Sequence, residues 1–175
     1  MKLRTAFALL SLALSTTLFA QEAPKPDPAL KALSYFSGTW QCKGSQNFAG
    51  TAIKYTETVT GAWVLNNMWL DIRVTQHKSK ENPMPFGGRS YLGYDSQAKK
   101  FVIYWVDNTG GFETAEGAGW EGDKFSFEGT AHMGPMVAKG RDVFVKSSAK
   151  KFTHTYELEQ DGKWNEVMNE TCTKG

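Results

Sequence analysis

Gly38-Thr39-Trp40-Gln41-Cys42 is the stretch that decides the fold. Just before it, Leu30, Leu33 and Phe36 or Tyr35 recur at helical spacing. Asp27-Pro28 supplies a capping acceptor and then a proline at the first helical position. Gly38 ends this helix after about two turns, and from Thr39 onward the apolar period becomes two. Ten strands are predicted: 39–45, 52–60, 68–76, 88–94, 101–106, 112–120, 125–131, 138–146, 152–159 and 164–173. The third shows the alternation most clearly, with Met68, Leu70, Ile72 and Val74 on one face and Trp69, Asp71, Arg73 and Thr75 on the other. Gln160-Asp161-Gly162 marks a hairpin before the last strand.

Short connections imply antiparallel neighbours, an up-and-down meander. Ten such strands leave two edges, and closing the sheet removes both. Closure sets the first strand against the tenth, and these carry the only two cysteines, Cys42 and Cys172. Trp40 shares a face with Cys42, and Trp164 and Met168 share a parity with Cys172. The expected fold is therefore all-β: an antiparallel barrel of about ten strands with a short N-terminal helix. A Cys42–Cys172 disulfide is the simplest state of two cysteines in an exported chain; two free thiols are the alternative.

Export is inferred from residues 1–20. Lys2 and Arg4 precede an apolar run from Ala6 to Leu14, and Leu18-Phe19-Ala20 ends in a small residue before Gln21. This pattern is that of a secretory signal peptide, the alternative being an uncleaved anchor or buried helix. Residues 21–28, rich in proline, read as a linker, and 29–175 as the barrel domain. Removing residues 1–20 lowers Lys+Arg from 20 to 18, against Asp+Glu at 18. A neutral mature chain offers no electrostatic footprint for nucleic acid, and no membrane anchor is expected after cleavage. The expected address is periplasmic or secreted.

The chain resembles the DUF1579 family of uncharacterised, often exported bacterial proteins. The resemblance is carried by Leu33 to Trp40, Gly61-Ala62-Trp63, Leu92-Gly93-Tyr94-Asp95 before Lys100-Phe101-Val102, Gly129-Thr130, Arg141-Asp142-Val143, and Tyr156-Glu157-Leu158 before Asp161-Gly162-Lys163-Trp164. It implies a calycin-like, lipocalin-like barrel and no particular activity. The Gly38-x-Trp40 opening also resembles the nitrobindin-like haem proteins, which hold haem through a histidine of the final strand. The final strand here contains none. No cofactor is implied.

Charges falling where alternation predicts burial are the candidate site. Glu57 alternates with Ile53, Tyr55 and Val59; Arg141 shares a parity with Val143 and Val145; Glu166 shares one with Trp164 and Met168. His154 shares a face with Phe152, Tyr156 and Leu158. Buried charges must be paired or neutralised. Arg141 beside Glu57 or Glu166 would make a polar floor within aromatic walls, the usual form of a small-molecule pocket. The candidate ligand contacts are Tyr55, Glu57, Arg141, His154 and Tyr156. The bland alternatives are a core histidine bonded to a carboxylate, and rim charges in water. No zincin histidine pair, phosphate loop or dinucleotide fingerprint is present, and Gly88-Arg89-Ser90-Tyr91-Leu92 lacks the closing glycine of a nucleophile elbow.

The function expected is non-catalytic binding of a small apolar or amphipathic ligand inside the barrel. One alternative is a structural protein with a filled barrel, which an internal space below about 300 Å³ would favour. Another is an enzyme or haem protein using His154, which a displaced histidine pKa beside Glu57 or Glu166 would favour.

Overall fold

A computed structural model of the chain describes residues 23–48 and 50–175, so the expected signal peptide lies outside the described residues. Residues 23–27 have no regular structure, and Pro28–Phe36 forms a 3₁₀ helix. Asp27 caps it by accepting from the Ala29 amide at 2.8 Å, while the Ser96 hydroxyl donates to its second oxygen at 2.6 Å. Leu30, Leu33 and Phe36 recur every third residue, which is one full turn of a 3₁₀ helix. They therefore stack along one edge, and all three are buried.

Eleven strands follow: β1 (Gly38–Gln46), β2 (Ile53–Val64), β3 (Trp69–Gln76), β4 (Gly87–Asp95), β5 (Lys100–Asp107), β6 (Phe112–Gly117), β7 (Trp120–Glu121), β8 (Lys124–Met133), β9 (Met136–Ser148), β10 (Lys151–Gln160) and β11 (Lys163–Lys174). The two-residue β7 is a spur paired to β8. It corresponds to the end of the sixth predicted strand, which breaks after Gly117. The other ten form a closed antiparallel ring, with β1 paired to β11 and β6 to β8. Asp161 and Gly162 both have positive φ, as a tight hairpin turn requires.

Cys42 and Cys172 sit directly opposite each other in the β1–β11 ladder and form the expected disulfide. Trp40, Val59 and Phe152 pack around it.

The 3₁₀ helix seals one end of the barrel. Leu30, Leu33 and Phe36 pack on Leu70, Leu92, Phe101, Phe125 and Phe127. Polar groups tie the plug to the wall: the Trp120 indole donates to the Ala32 carbonyl at 2.8 Å, and the Tyr35 hydroxyl meets the Ser148 and Lys151 carbonyls at 2.8 and 2.9 Å. Gly61 lets the helix end seat closely, because a Cβ there would strike the Phe36 carbonyl. At the other end, β1, β3, β5, β8 and β10 finish, and residues 47–48, 50–52, 77–86 and 108–111 rim a mouth.

Candidate functional site

Between plug and mouth lies a cavity of about 740 Å³. Its floor is Phe36 and Trp40, and its walls include Val59, Ile72, Val74, Leu92 and Phe144. Met84, Pro85, Phe86 and Phe112 stand at the mouth. Strand alternation makes this lining: Leu70, Ile72 and Val74 share the inner face of β3, as predicted, while Asp71 points outward and is gripped by Arg89 at 2.7 and 2.8 Å.

A polar cluster interrupts the apolar wall. His154 on β10 lies between two carboxylates, with Nε2 2.7 Å from Asp142 Oδ1 and Nδ1 3.1 Å from Glu170 Oε1. Phe144 stacks on its ring at 4.2 Å. The ladders dictate the arrangement, since Phe144 and Glu170 flank His154 in register on the adjacent strands. The Tyr55 hydroxyl donates to Glu170 Oε2 at 3.4 Å, and the Tyr156 hydroxyl donates to Glu113 Oε2 at 2.8 Å. Glu57 and Glu113 are 4% and 6% exposed.

Electrostatics follow from this packing. Burial pushes the Glu57 carboxyl up to about 9, and the adjacent Glu170 adds to the rise. Burial likewise lifts Glu113 to about 8, with Asp142 adding to it and the Tyr156 hydroxyl opposing. For His154, burial disfavours the charged ring. The bonds to Asp142 and Glu170 outweigh it and hold the imidazolium up to about 10. Burial and the neighbouring carboxylates also raise the Tyr55 and Tyr156 hydroxyls. Both carboxylic acids are thus neutral near pH 7, while His154 is a fixed cation.

Of the five predicted ligand contacts, Tyr55, Glu57, His154 and Tyr156 line the cavity. Arg141 does not. It pairs with Glu157 at 2.7 Å and lies 4.3 Å over the Trp164 ring, on the outer face. Its parity with Val143 and Val145 holds, but that face is the outer one, and Val145 is 38% exposed. The inner face of β9 carries Asp142 and Phe144 instead. Glu166 also lies outside, bonded to Asn169. The ladder shifts register there: Met168 faces Tyr156 but Glu166 faces Glu157, so Val167 is an extra residue that reverses the alternation.

Asp142, Glu113 and Glu170 were absent from the predicted set. Glu170 was readable, because it shares a parity with Cys172. Glu113 alternates with Ala115 and Gly117, small residues that gave no apolar signal.

Gly140 makes room for the Glu113–Tyr156 pair. A Cβ there would overlap the Tyr156 hydroxyl and lie 2.7 Å from Glu113 Oε1. Gly140→Ala is expected to cost roughly 1–3 kcal/mol, the usual range for overpacking. Urea unfolding checks this; a loss within error would show that the pair relocates freely.

Among the described residues, Cys42, Glu170 and Cys172 come together as a possible metal-ligating group, but both sulfurs are committed to the disulfide. Both ring nitrogens of His154 are taken by carboxylates, which leaves no free lone pair for an iron axial bond.

Fold and site together define a closed, calycin-like antiparallel barrel with one end plugged and an internal cavity. A family profile described as "Protein of unknown function (DUF1579)" matches residues 25–174, and the chain belongs to that family. Among solved structures, the chain is similar to the crystal structure of Rv2717c from M. tuberculosis. The two share 15% identity, with a TM-score of 0.65, over 86% of this chain and 99% of the other. This likeness concerns the fold. No curated protein matches the chain.

Proposed function

We propose that the protein binds a small apolar or amphipathic ligand inside its barrel without transforming it, and does so as an exported, periplasmic or secreted protein. The observation that carries this reading is the cavity of about 740 Å³, closed at its floor and walled by apolar side chains. That volume falls within the usual range of ligand pockets, roughly 300–1,000 Å³, and well above the filled-barrel limit. Exposed apolar groups at the rim, Met84 at 87% and Phe112 at 47%, suit the uptake of apolar molecules. The disulfide accords with an oxidising compartment.

The enzymatic reading has one observation in its favour, a displaced pKa at His154. The displacement is upward to about 10, away from the neutral range in which a general base works best. Binding is therefore the better reading.

Titration with Nile red, a neutral apolar dye, tests it. Fluorescence is expected to rise and saturate at one dye per chain. Ile103→Trp, which adds bulk to a lining position, is expected to weaken binding at least tenfold. Absence of any saturable signal would count against an open interior, and unchanged affinity in the variant would place the dye elsewhere.

A further inference from the structure

The ligand-binding reading leaves open what anchors a ligand in the cavity, and the inference that follows rests on that reading. We propose that Ser90, on β4, is the anchor: its hydroxyl bonds an uncharged oxygen, a carbonyl or a hydroxyl, carried on an apolar body.

The first observation is what Ser90 lacks. Among the described residues, the buried polar or charged side chains on the lining are Glu57, Gln76, Ser90, Glu113 and Glu170. Glu57 bonds to Glu170 and Gln76, Gln76 to Gln46 and Asn82, Glu113 to Tyr156, and Glu170 to His154. Ser90 is 2% exposed, and its hydroxyl has no partner among the described residues. Of their unbonded side-chain oxygens and nitrogens only Glu113 Oε1 is fully sealed, so the Ser90 oxygen keeps an open side, and that side is the cavity. A buried hydroxyl without a partner carries a desolvation cost that a ligand oxygen would relieve.

The second observation is the wall around it. Ser90 faces Ile72 on β3 and Trp105 on β5 in register, and Leu92 follows two residues along its own strand. All three line the cavity. The Trp105 indole N–H is committed to Asp107, 3.3 Å away. An ordered buried water needs about two to four polar partners, and these neighbours add none to Ser90. An apolar body fits this wall, with its one polar atom at Ser90.

The third is charge. Among the described residues no lysine or arginine lines the cavity, and His154 is held between Asp142 and Glu170. A carboxylate set against Ser90 would be buried among apolar side chains without a cation, a cost that an uncharged oxygen avoids. A serine hydroxyl can donate to a carbonyl or accept from a hydroxyl, so both groups belong to the class.

Displacement of Nile red at pH 7 tests the proposal, using naphthalene, 2-naphthol, 2-acetylnaphthalene and 2-naphthoate, each corrected for the dye affinity of the protein used. In Ser90→Ala, 2-naphthol, 2-acetylnaphthalene or both should weaken roughly fivefold or more relative to naphthalene, and the probe affected names the group. On the wild-type protein 2-naphthoate should be the weakest of the four. Ser90→Ala without ligand should melt no lower than wild type, because removing an unpartnered hydroxyl breaks no bond. A hydroxyl with a structural role would lower that melting temperature instead. An unchanged ratio for both oxygen-bearing probes in Ser90→Ala, a variant that melts well below wild type, or 2-naphthoate binding as tightly as 2-naphthol would overturn the assignment while leaving ligand binding intact. Failure of Nile red and of all four probes to bind would instead remove the ligand-binding reading, and this inference with it.

Discussion

Replacing Cys42 and Cys172 together by alanine is expected to lower the free energy of unfolding by about 5 kcal/mol on the chain-entropy model. The bridge spans 130 residues of sequence, so it ties nearly the whole barrel into one loop and restricts the unfolded chain accordingly. It also staples β1 to β11, the ladder that joins the two ends of the meander. The loss should be seen in urea as a lower midpoint with an equal or larger slope, because the released unfolded chain exposes more surface. The double variant should still fold, since the β1–β11 ladder and the Trp40–Phe152 contact at 4.8 Å persist without the sulfurs. A change below 1 kcal/mol would mean that the bridge adds little to a closure already secured by the ladder.

His154→Leu should be nearly as costly, about 3–5 kcal/mol, because it leaves Asp142 and Glu170 without the cation between them. Adding Asp142→Asn and Glu170→Gln should recover most of that loss, which separates unpaired charge from lost packing. The same cluster sets a pH dependence with a definite sign. The His154 pKa rises from 6.5 unfolded to about 10 folded. Its contribution is fully present below pH 6.5 and is lost as pH climbs through 10. Glu57 and Glu113 rise from 4.5 to about 9 and about 8. Folding therefore holds their protons more tightly, and their contribution also fades from pH 4.5 upward. All three act in one direction, so Tm should fall steadily between pH 5 and pH 10. Each kcal/mol corresponds to roughly 2–4 °C in a domain of this size. Asp71 and Asp107, whose pKa values are lowered by their bonds against the effect of burial, oppose this only in the acid range below 3.8. The gap between wild type and His154→Leu should narrow as pH rises. A Tm that is flat or rising from pH 5 to pH 9 would contradict the protonation pattern assigned to the cluster.

The barrel was legible because its signals are local and repeated. The alternation in β3, the Asp161-Gly162 turn and the placement of Cys42 and Cys172 each say the same thing about neighbouring strands. The site was legible only in part. Alternation divides a strand into two faces, but only composition says which face is inner, and in β9 the outer Val143 and Val145 are as apolar as the inner face. That composition points Arg141 inward and gives Asp142 no signal. In β11 the single extra residue Val167 reverses the pattern, and nothing in Asn165-Glu166-Val167-Met168 announces it. Glu113 sits among small residues, so its burial depends on the opposing strands and not on its own segment. Gly140, on β9 beside β10, is the clue from a neighbouring strand: a missing side chain where the Glu113–Tyr156 pair must fit.

The decisive measurement is native mass spectrometry of the protein purified from its own host, followed by titration with Nile red. One small molecule is expected to be retained per chain, either carried through purification or taken up on titration, and to be lost in Ile103→Trp. A bare polypeptide mass that stays bare throughout the titration would contradict it, and would leave the cavity as an unused space inside a structural barrel.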